Sequence, residues 1–105
     1  RSKDIIISGG ENISSIEIEN VLFKHKDIID AAVVAKKDEK WGEVPCAFVT
    51  LKKNSTLKAN EIIQFCRNNM ASYKIPKNII FGKIDKTPTG KTQKYLLRRK
   101  VNLID

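Results

Sequence analysis

Ile28-Ile29-Asp30-Ala31-Ala32-Val33-Val34-Ala35 and Glu43-Val44-Pro45-Cys46-Ala47-Phe48-Val49-Thr50-Leu51 are the two stretches whose reading decides the fold. Both are nearly continuous apolar runs, which predicts two strands, each well covered on at least one face. Between them Lys36-Lys37-Asp38-Glu39-Lys40-Trp41-Gly42 reads as a polar link, and it carries the only tryptophan. Pro45 has no N–H for a sheet ladder, so it predicts a strand beginning or an edge position.

Upstream, Ile5-Ile6-Ile7 is a short β-branched strand candidate, and Ser8-Gly9-Gly10-Glu11-Asn12 reads as a turn. Ser14 and Glu17 have capping-box spacing for a helix reaching about Lys24, with Ile16, Ile18, Val21 and Leu22 as its apolar stripe. Downstream, a turn at Lys52 to Thr56 precedes a helix from about Ala59 to Met70, in which Lys58 is a poor N-cap. Ile62, Ile63, Phe65, Cys66 and Met70 form its apolar face. Ser72 to Pro76 breaks the helix, and Ile79 to Phe81 makes a further strand. A loop at Lys86 to Thr92 and a basic helix from Gln93 to Lys100, carrying Tyr95, Leu96 and Leu97, close the chain. This order predicts an α+β fold: a small sheet of about three main strands flanked by helices, plus a short N-terminal β-turn unit. Residues 1–105 read as one domain.

The 105 residues are 41% hydrophobic and 30% charged, as in a globular protein, with a net charge of +8. Ten of the twenty lysines and arginines lie from Arg67 onward, so the C-terminal part favours acidic or phosphorylated partners or a solvated basic face. No apolar run is long enough to span a membrane, and no leader pattern stands at the start. A start at Arg1 rather than Met fits a piece of a longer protein. Cys46 and Cys66 sit in apolar segments without metal-ligand spacing, which points to core packing in a reduced, cytoplasmic compartment and to no metal site. His25, beside lysines at a helix end, reads as solvated.

Lys86-Thr87-Pro88-Thr89-Gly90-Lys91-Thr92 is the stretch richest in chemistry. Pro88 fixes φ near −65° and Gly90 permits positive φ, a pairing that shapes a tight turn and presents Lys91 at a defined point. Gly90-Lys91-Thr92 imitates the end of a phosphate-binding loop. The first glycine of that motif would fall at position 85, however, and Asp85 is there, an acid where a phosphate would sit. The loop alone is therefore either an exposed basic turn or the mount of a placed cation.

Read together, the two ends resemble the adenylate-forming enzymes: acyl-CoA synthetases, peptide-synthetase adenylation domains and firefly luciferase. Arg1-Ser2-Lys3-Asp4-Ile5-Ile6-Ile7-Ser8-Gly9-Gly10-Glu11-Asn12-Ile13 with Glu17-Ile18-Glu19 is similar to one core motif of that superfamily, and Lys86 to Lys91 to its final one. Asp38-Glu39-Lys40-Trp41-Gly42-Glu43 and Tyr73-Lys74-Ile75-Pro76 lie where acyl-CoA synthetases carry similar segments. The resemblance implies the small C-terminal domain of such an enzyme, whose partner is its own large N-terminal domain. The implied substrates are a carboxylic acid, ATP with Mg bound mainly by the large domain, and coenzyme A. It also implies Lys91 as the lysine of adenylation, Arg1 near the nucleotide, Lys3 as the hinge, and Gly9, Gly10, Trp41 and Tyr73 facing coenzyme A. By that reading these 105 residues alone are inactive.

Chemistry runs parallel to these roles. A carboxylate attacking a triphosphate brings two anions together, so a placed cation stabilises the charge between them. Glycines let a slender thiol arm approach the backbone, and aromatic side chains line narrow channels. Each residue keeps a plainer reading from composition alone: Trp41 and Tyr73 as packing residues, and Gly9-Gly10 as an ordinary hairpin turn. Among functions, an acyl-CoA synthetase stands first. A peptide-synthetase adenylation domain, whose acceptor is a carrier-protein thiol, is the alternative. A basic nucleic-acid module explains the charge but lacks the interleaved aromatics of RNA-binding modules, so no nucleic-acid partner is expected.

Overall fold

The computed structural model describes residues 3–102. A hairpin of β1 (Ile5–Ser8) and β2 (Glu11–Ser14) leads into α1 (Ser15–Phe23). The long hairpin β3 (Ile28–Asp38) and β4 (Gly42–Leu51) follows, then α2 (Ala59–Arg67), a 3-10 turn at Ser72–Lys74, β5 (Asn78–Phe81) and α3 (Lys94–Asn102). The α+β class is as expected: β3, β4 and β5 are the three main strands, and the N-terminal β-turn unit is the β1–β2 hairpin, which joins them in one five-stranded sheet. Its order is β2-β1-β4-β3, and β5 runs parallel to β4.

The β3–β4 register explains why both apolar runs are nearly continuous. Ala31 faces Val49 and Val33 faces Ala47, while the alternate pairs are Ala32–Phe48 and Val34–Cys46. The first set packs with Ile18 and Leu22 of α1 and Ile62 and Cys66 of α2. The second set packs with Ile84 and with Leu97 and Val101 of α3. Side chains alternate across a strand, so covering both faces demands apolar residues at every position. α1 and α2 lie on one side of the sheet and α3 on the other.

Several local expectations change once strands pair. Glu11–Ser14 is a strand rather than the tail of a turn, because Ile13 pairs opposite Ile6 and both are buried. β3 runs on through Lys36 to Asp38, whose ladder with Val44, Glu43 and Gly42 shortens the polar link to three residues. Pro45 lies inside the central strand, neither at its start nor at an edge. Its carbonyl accepts from Lys77 N at 3.0 Å, and a strand residue's N–H and C=O face the same side. The missing N–H therefore faces the gap between β1, which meets β4 at Gly42, and β5, which begins opposite Cys46.

The helices follow their signals with shifted ends. Ser14 caps α1, its Oγ accepting from Glu17 N at 3.3 Å. Ile18, Val21 and Leu22 are buried, but Ile16 is exposed, since a residue two positions from Ile18 lies on the opposite side of the helix. α2 stops at Arg67, short of Met70, and its entry is closed by Lys58 N donating to Glu61 Oε1 at 2.9 Å. α3 begins at Lys94, one residue later than read, with Leu97 and Val101 inward and Tyr95 exposed. His25 is half-buried rather than solvated: its Nδ1 accepts from Asp27 N at 3.0 Å and its ring meets Phe65 edge-on.

Candidate functional site

Lys91 sits on a small closed loop between β5 and α3. Thr87 N donates to the Lys91 carbonyl at 2.8 Å, and Gly90 N donates to the Thr87 carbonyl at 2.9 Å. Lys91 N donates to Thr87 Oγ1 at 3.1 Å. Gly90 takes φ of +89°, the conformation the loop requires and a β-carbon resists. At the base, Lys86 bridges across to Thr92 and its ammonium reaches Asp30 on β3 at 2.9 Å. The Lys91 side chain is exposed, and no ion pair holds its ammonium among the described residues. It is a cation on a stiff mount.

A cleft of about 570 Å³ beside this loop is lined by Lys3, Asp4, Thr87, Lys91, Lys94 and Arg98, among others. The fold thus brings the proposed pivot Lys3 and the loop lysine to one place, although 88 positions separate them in sequence (91 − 3). Lys3 is exposed, two residues before β1 begins at the half-buried Ile5. Arg1 lies outside the described residues.

The second group gathers at the opposite end of β1. Gly9 and Gly10 form the two-residue turn between β1 and β2, with φ of +58° and +82°. Positive φ at both central residues is what such a turn needs to follow the strand twist. Trp41, on the three-residue β3–β4 turn, lies against Gly9: its carbonyl accepts from Gly9 N at 2.8 Å. A β-carbon at Gly9 would fall 2.7 Å from Trp41 Cε3. Asp38 Oδ2 shapes that turn by accepting from Lys40 N and Trp41 N, and the Lys40 ammonium stands 4.9 Å from the indole centre. Trp41 remains 42% exposed, so it is a covering ring rather than a core residue.

Tyr73 stands on the 3-10 turn before β5 and is 49% exposed. Its neighbour Lys74 holds the Glu17 carboxylate at 2.9 Å, and the hydrogen bond it donates to Glu17 raises the Lys74 pKa. Beyond the turn, Lys77 N donates to the Pro45 carbonyl on β4, three residues from Gly42, where β1 meets that strand.

One group escaped the reading of the sequence. The Lys94 ammonium reaches Asp4 Oδ1 at 3.1 Å, Ser15 Oγ at 3.2 Å and Glu19 Oε2 at 2.7 Å. A charge pattern among residues so far apart in sequence has no local signature. Cys46 and Cys66 are fully buried and free, and burial pushes both thiols up to about 11, which makes them inert core residues. Among the described residues no group of three or more His, Cys, Asp or Glu could hold a metal ion, and no helix is long and apolar enough to cross a membrane.

A two-faced α+β domain that mounts a lysine on a hairpin loop beside its entry strand, and a glycine turn under an indole at the other end, defines a recognisable class. Residues 17–91 match the model of the AMP-binding enzyme C-terminal domain, and the chain belongs to that family. It is 55% identical over 105 residues to an acetate–CoA ligase of Humulus lupulus, covering 95% of this chain and 18% of the relative. To a peroxisomal acetate/butyrate–CoA ligase of Arabidopsis thaliana it is 52% identical over 105 residues, again covering 95% of this chain and 18% of the relative. A fatty acyl-CoA synthetase from Mycobacterium tuberculosis superposes with a TM-score of 0.91 at 40% identity, covering 98% of this chain and 20% of that one. The chain thus spans about a fifth of the length of the relatives it matches.

Proposed function

We propose that this chain is the mobile C-terminal domain of an ATP-dependent acid–CoA ligase, preceded by the large domain that binds the carboxylic acid, ATP and its Mg. In the first half-reaction the acid's carboxylate attacks the α-phosphate and displaces pyrophosphate. Lys91 places its ammonium between those two anionic groups as negative charge concentrates there. In the second, the coenzyme A thiol attacks the acyl adenylate and displaces AMP. The domain has by then turned about Lys3, so that Gly9, Gly10, Trp41 and Tyr73 face the thiol arm. Arg1 lies near the nucleotide on this reading. The chain alone is inactive, since the acid and ATP pockets belong to the other domain.

The observation that carries this reading is the separation of the two groups. Lys91 with Lys3 occupies one end of β1 and Gly9 with Trp41 the other, with about 13 Å of strand between. One reacting centre cannot meet both at once, so two chemical steps need two positions of the domain. Lys3, exposed at the mouth of the strand, is where a turn of backbone would change least inside the fold. We place the protein in the cytoplasm, where two free thiols fit a reducing compartment, although three of the relatives it matches are named peroxisomal. Fractionation of cells carrying the tagged full-length protein tests that placement. The free coenzyme is favoured over a carrier-protein thiol by the Trp41-Gly42-Glu43 segment and by the CoA ligases at 52–55% identity.

The test is Lys91→Ala in the full-length enzyme. Loss of a placed cation lowers the adenylation rate by about 10²–10³-fold, while pre-formed acyl adenylate plus coenzyme A reacts at close to the wild-type rate. A variant crippled equally in both assays would mean that Lys91 supports folding or coenzyme binding instead.

A further inference from the structure

We propose that Lys94 is a positioning residue for Lys91: its ammonium ties the base of the Lys91 loop to the chain beside the pivot, so that turning at Lys3 carries Lys91 to a fixed place. This inference rests on the adenylation role proposed for Lys91.

An ammonium has three protons to donate, and Lys94 has three acceptors. These are Asp4 Oδ1 at 3.1 Å, Ser15 Oγ at 3.2 Å and Glu19 Oε2 at 2.7 Å. The acceptors are themselves fixed. Glu19 Oε2 also accepts from Val33 N on β3 at 2.9 Å, and Ser15 N donates to the Asp4 carbonyl at 2.8 Å. Lys94 therefore locks α3, α1, β3 and the entry to β1 at a single point. Among the described residues Lys74, Lys86 and Lys100 each have one carboxylate partner, whereas Lys94 has two and its side chain is only 19% exposed. Solvent screens such a node less than it screens a surface pair, and removing its central cation takes the ion-pair partner from the Glu19 carboxylate, whose side chain is only 14% exposed.

Position in the chain turns this node into a device for the site. Asp4 is next to the pivot Lys3, and Lys94 follows Lys91 by three residues. The two legs of the loop are also tied to each other, by the Lys86–Thr92 bridge and by Gln93 N to the Asp85 carbonyl, and Lys86 ties them to Asp30 on β3. Releasing Lys94 keeps those ties but removes the one that joins the α3 leg directly to the chain beside the pivot. Lys91 is then held to the pivot only by way of β3, and a misplacement of about 1 Å is enough to cost on the order of 10² in rate.

The experiment uses the full-length enzyme and measures the half-reactions separately: pyrophosphate release from ATP and acid, then thioester formation from pre-formed acyl adenylate. Lys94→Met is expected to lower the first by between about 10- and 100-fold and to spare the second. Lys94→Arg, whose guanidinium can span the two carboxylates, restores most of the loss. In a Lys91→Ala background, Lys94→Met adds nothing, because a residue acting only through Lys91 has nothing left to position. Equal loss in both half-reactions, or a full further loss in the Lys91→Ala background, would reduce Lys94 to a stabilising residue and overturn the proposal. If Lys94→Met does not fold, Asp4→Asn removes one carboxylate charge at the less buried end of the node, and the same two criteria apply to it. Impairment by Lys91→Ala but not by Lys94→Met overturns this inference alone. An unimpaired Lys91→Ala overturns the adenylation reading together with it.

Discussion

Gly9→Ala probes the contact between the glycine turn and the indole, and its cost can be worked out beside that of Gly10→Ala. Both glycines have positive φ, so either β-carbon meets roughly 1–2 kcal/mol of backbone strain. At Gly10 nothing lies within 4 Å of the new carbon, and strain is the whole cost. At Gly9 the carbon falls 2.7 Å from Trp41 Cε3 and 3.1 Å from Cζ3, against 3.4 Å for ordinary contact. The ring must retreat by about 0.7 Å (3.4 − 2.7), and it can do so, since it is partly exposed. Lost contact adds on the order of 1 kcal/mol. For a domain of this size each kcal/mol moves Tm by roughly 4–8 °C, so Gly9→Ala melts about 5 °C below Gly10→Ala. Trp41 is the only tryptophan of the 105 residues, so its fluorescence reports the displacement directly. Emission shifts in Gly9→Ala and stays put in Gly10→Ala, and the extra cost vanishes when Trp41 is also replaced by Ala. Equal Tm losses with unchanged emission in both variants would show that the indole does not rest on Gly9.

Lys3→Pro in the full-length enzyme restricts rotation at the pivot, so thioester formation from acyl adenylate falls well below adenylation. Equal loss of both half-reactions would remove the hinge role. Leu97→Ala empties a fully buried position in the seven-residue cluster beneath α3, at a cost of roughly 2–5 kcal/mol read by denaturant unfolding. Loss under 1 kcal/mol would mean that α3 is not seated on the sheet. Burial raises the Cys46 and Cys66 thiols from 9.0 to about 11, so both favour the folded state while neutral. That contribution, on the order of 2 kcal/mol each, is fully present below pH 9 and disappears as pH rises towards 11. Urea midpoints across that range measure it, and thiol reagents at pH 7.5 should modify neither cysteine until the chain unfolds.

Whatever depends on neighbours along the chain was legible in the amino-acid sequence alone. Continuous apolar runs at Ile28–Ala35 and Glu43–Leu51 required cover, the Ser14 side chain marked a helix start, and Pro88 with Gly90 shaped the Lys91 loop. The glycines at 9 and 10 likewise announced their turn, because positive φ is a local property of a residue without a β-carbon. Only tertiary structure decided the remainder. Glu11–Ser14 became a strand because β1 offered a partner, and Pro45 was admitted to the central strand because no strand lies opposite its missing N–H. The seating of Trp41 on Gly9, the shared cleft of Lys3 and Lys91, and the Lys94 node all join residues 32 to 90 positions apart. Hydrogen bonds and ion pairs of that range follow from which strands come to lie side by side, and local pattern carries the period of a strand but not the identity of its neighbour.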